Sequence, residues 1–302
     1  MLDRIMLDLI WKATHRERPI LGLNERNREI VGRGNPRHLR PLVDDKRLTK
    51  EILEKNDIPA PTTLAIFDTG FHLMRGLGPL LEGQTEVVIK PSQGAGGGGI
   101  LILQRGGEGW HEPNGRIWNL RKLQTHCQSI LFGNFSGGRD DGVLIEERLH
   151  PGPALGGLET AGLPDIRVIV HRLEPKLAMI RIPTKESGGK ANLHQGGIGV
   201  GVDLATGLTT NARCKGRPIE VHPDTGQSIL GRHCEDWPLV LDIARRAGAA
   251  VPLEYLGVDI APTREKGPVV LELNARPGLE IQNANHLGLR DLLGLVDRGG
   301  RA

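Results

Sequence analysis

Leu256-Gly-Val-Asp259-Ile260, then Val269-Val-Leu-Glu272-Leu-Asn274-Ala-Arg276-Pro-Gly278-Leu279, are two apolar runs joined by a short polar loop, Pro262-Thr-Arg-Glu-Lys-Gly267. The pattern reads as a β-hairpin. Side chains two apart on a strand share a face. Glu272 and Asn274 therefore present two oxygen ligands side by side, and the hairpin can bring Asp259 alongside. Asp259 lies in an apolar strand, where an unpaired carboxylate is costly. A metal or a charge partner is expected beside it. Carboxylates with an amide carbonyl, and neither His nor Cys nearby, suit Mg²⁺ better than zinc, with Mn²⁺ a candidate substitute. Mg²⁺ held by so few protein oxygens usually shares its shell with substrate phosphates. The hairpin thus points to a nucleoside triphosphate enzyme.

Composition bounds the rest. A chain of 302 residues can form one large domain or two ordinary ones. Glycine, 42 residues of 302, is about twice its usual share. The excess is concentrated in loops, where bare backbone can approach a ligand closely. The net charge is +3, and residues 1–50 hold 12 basic and 7 acidic side chains, which leaves −2 for the remainder. That is a mildly basic N-terminal arm, not the profile of a nucleic-acid-binding protein. The three cysteines are far apart, without a CxxC pair, so neither a disulfide framework nor a zinc site is indicated. A cytoplasmic setting fits. No apolar run is long enough to span a bilayer, so no membrane insertion is expected.

Coarse periodicity predicts an amphipathic helix over 2–13 and an irregular Arg/Pro/Gly/Asn-rich arm over 14–43. A helix capped by Asp44 or Asp45 runs to about Asn56, and another spans about 69–81. Strands are expected at 86–90, 99–104, 143–147, 166–172 and 176–182. Helices are expected near 116–131 and 236–249, a long loop over 183–199, and a helical, fraying tail over 286–302. Mixed helices and hairpin-like strands make the fold class α+β.

Lys90-Pro91 enters the glycine run Gly94 to Gly99 between two apolar strands. Such a loop turns backbone N–H groups towards phosphate oxygens, with Lys90 as a fixed positive charge. It lacks the GKS/T of a P-loop and does not lead into a helix.

VVIKPSQGAGGGGI (87–100), LIEERL (144–149), DIRVIV (165–170), ANLHQGG (191–197), GVDI (257–260) and LELNARPGL (271–279) occur in the order found in ATP-grasp enzymes. The chain resembles that superfamily over about residues 42–285. It looks most like the α-L-glutamate ligase (RimK-type) proteins and their sugar-transfer-associated relatives. The resemblance implies two α+β subdomains sandwiching ATP: 42–147 with the nucleotide lysines and glycine loop, and 148–302 with the triphosphate loop and metal ligands, after a basic arm over 1–41. It implies that Lys46 and Lys90 are the nucleotide lysines and that Gly96, Gly97, Gly98 and Gly99 cover the phosphates. Glu146, Glu147 and Leu149 would form the adenine hinge, and Asp165 would be a nucleotide-contacting acid. Lys190 and Asn192 would close over the triphosphate, with Asp259, Glu272 and Asn274 as Mg²⁺ ligands. Each has a plainer alternative, such as an Asp165–Arg167 structural ion pair or an ordinary exposed helix lysine at Lys46.

The resemblance also implies a reaction. ATP phosphorylates a carboxylate, and an amine attacks the acyl phosphate. A fixed donor lowers the barrier at the developing oxyanion; Arg181, slightly ahead of Arg276, is the candidate. The partners implied are ATP, an amino-acid donor, plausibly glutamate, and a peptide or other amine acceptor. Many ATP-grasp ligases carry about a hundred more residues before the first nucleotide lysine. Here the arm with Arg26, Arg28, Arg33, Arg37 and Arg40 stands in that place, where it could hold an anionic acceptor. A small-molecule kinase and a non-catalytic nucleotide-binding module are the competing readings. The complete Asp259, Glu272 and Asn274 set weighs against the latter.

Overall fold

Two antiparallel sheets organise the chain. The computed structural model describes residues 20–94, 96–152, 155, 158, 160 and 162–295. The helix expected over 2–13 and the frayed end after 295 lie outside the described residues. The first sheet has six strands in the order β1-β6-β2-β3-β4-β5. They are β1 Thr63–Phe67, β2 Glu86–Pro91, β3 Leu101–Gly106, β4 Gly109–His111, β5 Ile117–Trp118 and β6 Val143–Glu146. The second has seven strands in the order β11-β10-β9-β8-β7-β12-β13. They are β7 Asp165–His171, β8 Glu174–Ile182, β9 Ile198–Val202, β10 Thr209–Cys214, β11 Arg217–Ile219, β12 Tyr255–Thr263 and β13 Gly267–Asn274. The fold is α+β.

Helices cover these sheets, and their ends follow local chemistry. Helix α1, Lys46–Lys55, is capped by Asp45, whose carboxylate accepts from the N–H of Arg47. Helix α2, Gly70–Glu82, is capped by the Thr69 hydroxyl. Asn119 caps α3, Leu120–Leu131. A cap satisfies N–H groups that have no partner within their own helix. Helix α4, Trp237–Ala249, follows a left-handed Asp236 and has Pro at its first turn, where a missing N–H costs nothing.

Three expectations are corrected. The arm over 14–43 is not irregular where it is described. Leu23–Glu25, Arg26–Val31 and Gly32–Gly34 form one helical stretch with a π-helical middle, and Pro41–Asp44 adds a further turn. Its apolar residues, Leu21, Ile30 and Val31, are buried against the second sheet, which overrides a composition rich in helix breakers. Strand β9 begins within the expected 183–199 loop, and β9, β10 and β11 extend the second sheet. Glycine and short polar residues hide their period. The short strand β5, paired with β4, occupies the start of the helix expected from 116.

Period-2 alternation positions the site. On β7, Ile166, Val168 and Val170 enter the main core with Val43, Leu53, Ile58 and α4. Ile180 and Ile182 of β8 and Val258 and Ile260 of β12 do the same. Asp165, Arg167, Arg181 and Asp259 alternate with these residues, and so share the opposite face. In the first sheet, Val87, Ile89, Val143 and Ile145 pack under α2 and α3. Lys90 and Glu146 are thereby turned the other way. No helix among the described residues is long and apolar enough to cross a membrane.

Candidate active site

A cationic cluster forms on the inner face of the first sheet. Strands β2 and β6 pair with Val88 opposite Glu146 and Lys90 opposite Leu144. Lys90 and Glu146 are thus diagonal neighbours on one face. Their charged ends meet at 2.6 Å, and Lys50 reaches the same carboxylate at 2.5 Å. Lys46 and Lys50 lie one turn apart on α1, which places both on this side. Lys46 is buried, and its ammonium donates to Gly94 O at 2.7 Å, at the mouth of the glycine loop. Burial pulls its pKa below the usual lysine value, with the charge of Lys90 acting in the same direction and Glu272 opposing them. A poised, poorly solvated cation of this kind is stabilised by an incoming anion. Lys50 is the member that sequence reasoning missed, although its spacing from Lys46 carried the signal.

The glycine loop is held at both ends. Asp141 accepts from the N–H groups of Gln93 (2.9 Å) and Gly142 (2.7 Å). Gly96, Gly97 and Gly99 have φ of +66°, +77° and +75°, the left-handed region that other residues rarely enter. Asn192, from the second sheet's loop, donates to Gly96 O at 2.9 Å. A Cβ at Gly97 would stand 3.9 Å from Cδ of Lys190. The two loops expected to close over a triphosphate are therefore in contact.

The second sheet contributes an array of buried charges. Arg181 donates to both oxygens of Asp165 (2.5 and 2.8 Å) and to Asp259 at 2.7 Å. Arg167 donates to both oxygens of Asp259 at 2.7 and 2.6 Å. Asp165 is thus paired with Arg181 rather than with Arg167. Asp165 and Arg167 leave the same face of β7, and the register sets Asp165 opposite Arg181 and Asp259 opposite Arg167. Burial lifts Asp165 above the usual carboxylate range, to about 6, with Arg181 opposing and the negative charge of Asp259 adding to the rise. Asp259 pays the same desolvation, but two guanidinium groups hold it down to about 2.

Glu272 lies opposite Asp259 across the hairpin. Its Oε1 is 3.4 Å from Nδ2 of Asn274, and among the described residues it has no ion pair within 4 Å. Glu272 and Asn274 are half-buried, adjacent oxygen donors close to Lys46, and they fit a hard cation. Asp259 differs, because its oxygens are already engaged by two arginines. It could join a metal only by giving up guanidinium bonds.

The other expected residues are more dispersed. Arg276 is half-exposed, 3.3 Å from Asp44. Glu147 accepts from the N–H of Thr62 at 2.6 Å and pairs with Lys266, while its own N–H bonds to Thr62 O at 3.1 Å. Leu149 is buried with Ala261 and Val269. Arg26, one of the arginines proposed for an anionic acceptor, is buried and donates to Pro277 O at 2.6 Å. It is part of the fold instead.

No curated protein matches the sequence. Among solved structures, the chain is similar to an ATP-grasp ligase, PsnB, complexed with its minimal precursor. Identity is 15% over 87% of this chain and 64% of that one, with a TM-score of 0.45. A D-cycloserine synthetase, DcsG, is 15% identical over 86% of this chain and 70% of its own, at a TM-score of 0.47. A D-alanine–D-alanine ligase from Bacillus anthracis is 15% identical over 84% and 66%, at 0.44. The chain thus spans about two thirds of the length of these proteins. Residues 25–298 match the profile of a family described as sugar-transfer-associated ATP-grasp. With nine-tenths of its sequence matched in that way, the chain belongs to the sugar-transfer-associated ATP-grasp family.

Proposed function

We propose that the chain is an ATP- and Mg²⁺-dependent carboxylate–amine ligase that works through an acyl phosphate. The observation that carries this reading is the meeting of two faces at Lys46. The Lys90 and Glu146 face of one sheet and the Glu272 and Asn274 face of the other both lie within its electrostatic reach. ATP would lie between the sheets, with residues 42–147 and 148–302 as the two halves of the sandwich. Lys46 and Lys90 would draw charge from the phosphates, under Gly96 to Gly99 and against Lys190 and Asn192. Glu146, Glu147 and Leu149 would line the adenine end.

Glu272 and Asn274 would hold Mg²⁺, which neutralises phosphate charge when bound. Asp259 is the third candidate ligand, available only at the expense of its arginine bonds. The γ-phosphoryl passes to a donor carboxylate, ADP leaves, the acceptor amine attacks the carbonyl, and phosphate departs. Arg181 suits the oxyanion. Two carboxylates fix it, and its Nη1 makes no hydrogen bond among the described residues. A fixed donor needs no reorganisation at the moment of reaction. Arg276 is the more exposed cation and suits a substrate carboxylate.

The test is incubation with ATP, Mg²⁺ and pools of amino acids and amines, with ADP, phosphate and new masses measured. Amino-acid-dependent ADP and phosphate, with a product one water lighter than its reactants, support the ligase and name its donor, glutamate or another. A phosphorylated product would make the protein a small-molecule kinase. Glu272→Gln should abolish Mg²⁺-dependent turnover while leaving the thermal transition in place.

A further inference from the structure

Glu146 is matched by more positive charge than it needs. Its carboxylate is buried, and its two oxygens are taken separately, Oε1 by Lys50 at 2.5 Å and Oε2 by Lys90 at 2.6 Å. Both lysines are nearly closed off from water, with side-chain exposures of 15% and 9%. One lysine would neutralise one carboxylate. A second buried ammonium adds desolvation that folding does not require, and Lys46 stands within electrostatic reach of the same carboxylate. A local choice that works against stability, with no compensating gain in the fold, points to a role outside folding.

The two lysines are not equivalent. Lys90 leads directly into Pro91 and the glycine loop, and Glu146 is the only polar partner of its ammonium among the described residues. Lys50 is held from a second side, because it also donates to Pro61 O, in the segment that enters β1. Lys90 is therefore the one free to turn, and Lys50 the one fixed in place. To neutralise a triphosphate, Lys90 has to give up attraction that Glu146 now takes. With no other counter-ion, that exchange would strand a buried carboxylate, which is strongly unfavourable. Lys50 removes this penalty. Burial pulls the Lys50 pKa below the usual lysine value, with Glu146 opposing and the charge of Lys90 adding to the fall. Moving Lys90 away thus relieves a repulsion and strengthens the pair left behind.

We propose that Lys50 is a positioning residue: it keeps Glu146 neutralised while Lys90 passes from that carboxylate to the phosphates of the bound nucleotide. The inference rests on the reading that a triphosphate occupies the cleft.

The test is a double-mutant cycle on ATP affinity, measured with Mg²⁺ by calorimetry on the full chain. Lys50→Met should weaken ATP at least about tenfold, a coupling of the size found between groups in one charge network. Its Tm without nucleotide should stay close to that of wild type, because Lys90 still neutralises Glu146 there. Lys50→Arg, which keeps the counter-ion, should bind ATP as wild type does. Glu146→Gln removes the need for a counter-ion, so adding Lys50→Met to it should weaken ATP by no more than about twofold. The same large loss in both backgrounds overturns the proposal, since Lys50 would then act on the phosphates itself. A lowered Tm for Lys50→Met with unchanged affinity also overturns it and leaves an ordinary structural ion pair. If Glu146→Gln does not fold, Lys50→Arg decides: affinity as poor as that of Lys50→Met overturns the proposal. A wild type that fails to bind ATP overturns the ligase reading and this inference together, whereas the other adverse outcomes leave that reading standing.

Discussion

Asp259→Asn separates a carboxylate that holds the fold from one that holds a ligand. Asp259 is 3% exposed and accepts three short bonds, at 2.7 and 2.6 Å from Arg167 and 2.7 Å from Arg181. Asparagine keeps the volume and removes the charge. Arg181 retains Asp165, but Arg167 loses its only ion pair among the described residues while its side chain stays 11% exposed. Removing one partner of a buried pair costs about 3–5 kcal/mol. A chain of 302 residues unfolds with an entropy of about 0.6 kcal/mol/K near its midpoint, so Tm should fall by roughly 5–8 °C. The loss should depend on pH. The native carboxylate is held down to about 2, below its value of about 3.9 when unfolded. Its contribution is fully present above the unfolded value and is lost as pH falls through the native one. The stability gap between wild type and variant should therefore be constant near neutrality, and close between about pH 4 and about pH 2. Urea midpoints across that range measure it. A variant within about 1 kcal/mol of wild type that nevertheless loses Mg²⁺-dependent nucleotide binding would refute this: Asp259 would then be a metal ligand, and the arginines would not depend on it.

Three further outcomes are expected. Lys46→Met should weaken ATP binding at least about tenfold by calorimetry, a loss of about 1.4 kcal/mol. It should not lower the urea midpoint, because burial already penalises the charged lysine. Asn35→Ala removes a fully buried side chain that bonds Tyr255 O, Ala275 O and the Tyr255 N–H. At about 1–3 kcal/mol for each stranded group, partly relieved by water, chemical denaturation should show a loss of roughly 3 kcal/mol. A thiol reagent at mildly alkaline pH should leave Cys127 and Cys234 unmodified in the native protein, since burial pushes both up to about 12. The half-buried Cys214 should be the site that reacts, and denaturation should expose all three.

Legibility followed the reach of the signal in sequence. The hairpin β12–β13 was readable because period-2 alternation fixes which side chains share a face, and the register sets Asp259 opposite Glu272 as the spacing predicts. The cap of α1 was readable because Asp45 acts on an N–H only two residues away. What Asp259 touches was not readable. Its partner Arg167 lies 92 positions earlier and Arg181 78 positions earlier, and only the order of β8, β7 and β12 in the sheet brings them together. The arm 20–44 misled for a related reason. Its composition breaks helices locally, yet Leu21, Ile30 and Val31 gain burial against strands far along the chain, and burial outweighs propensity.

That arm also explains how the site can be rigid on one side and mobile on the other. Asn35 bonds the backbone where β12 begins and just after β13 ends, and Arg26 bonds Pro277 O directly beyond Arg276. Glu272 and Asn274 therefore project from a hairpin braced by buried hydrogen bonds to a separate segment. The glycine loop opposite is tied across the cleft by Asn192 through one exposed hydrogen bond, which is worth little in water. Opening that bond to admit a triphosphate costs far less than moving the hairpin. Substrate entry should therefore be governed by the two glycine loops, with the oxygen donors fixed throughout. Hydrogen exchange checks this: amides at 96–99 should exchange orders of magnitude faster than those of β12 and β13. Equal protection in the two regions would mean that the sheets open as whole bodies instead.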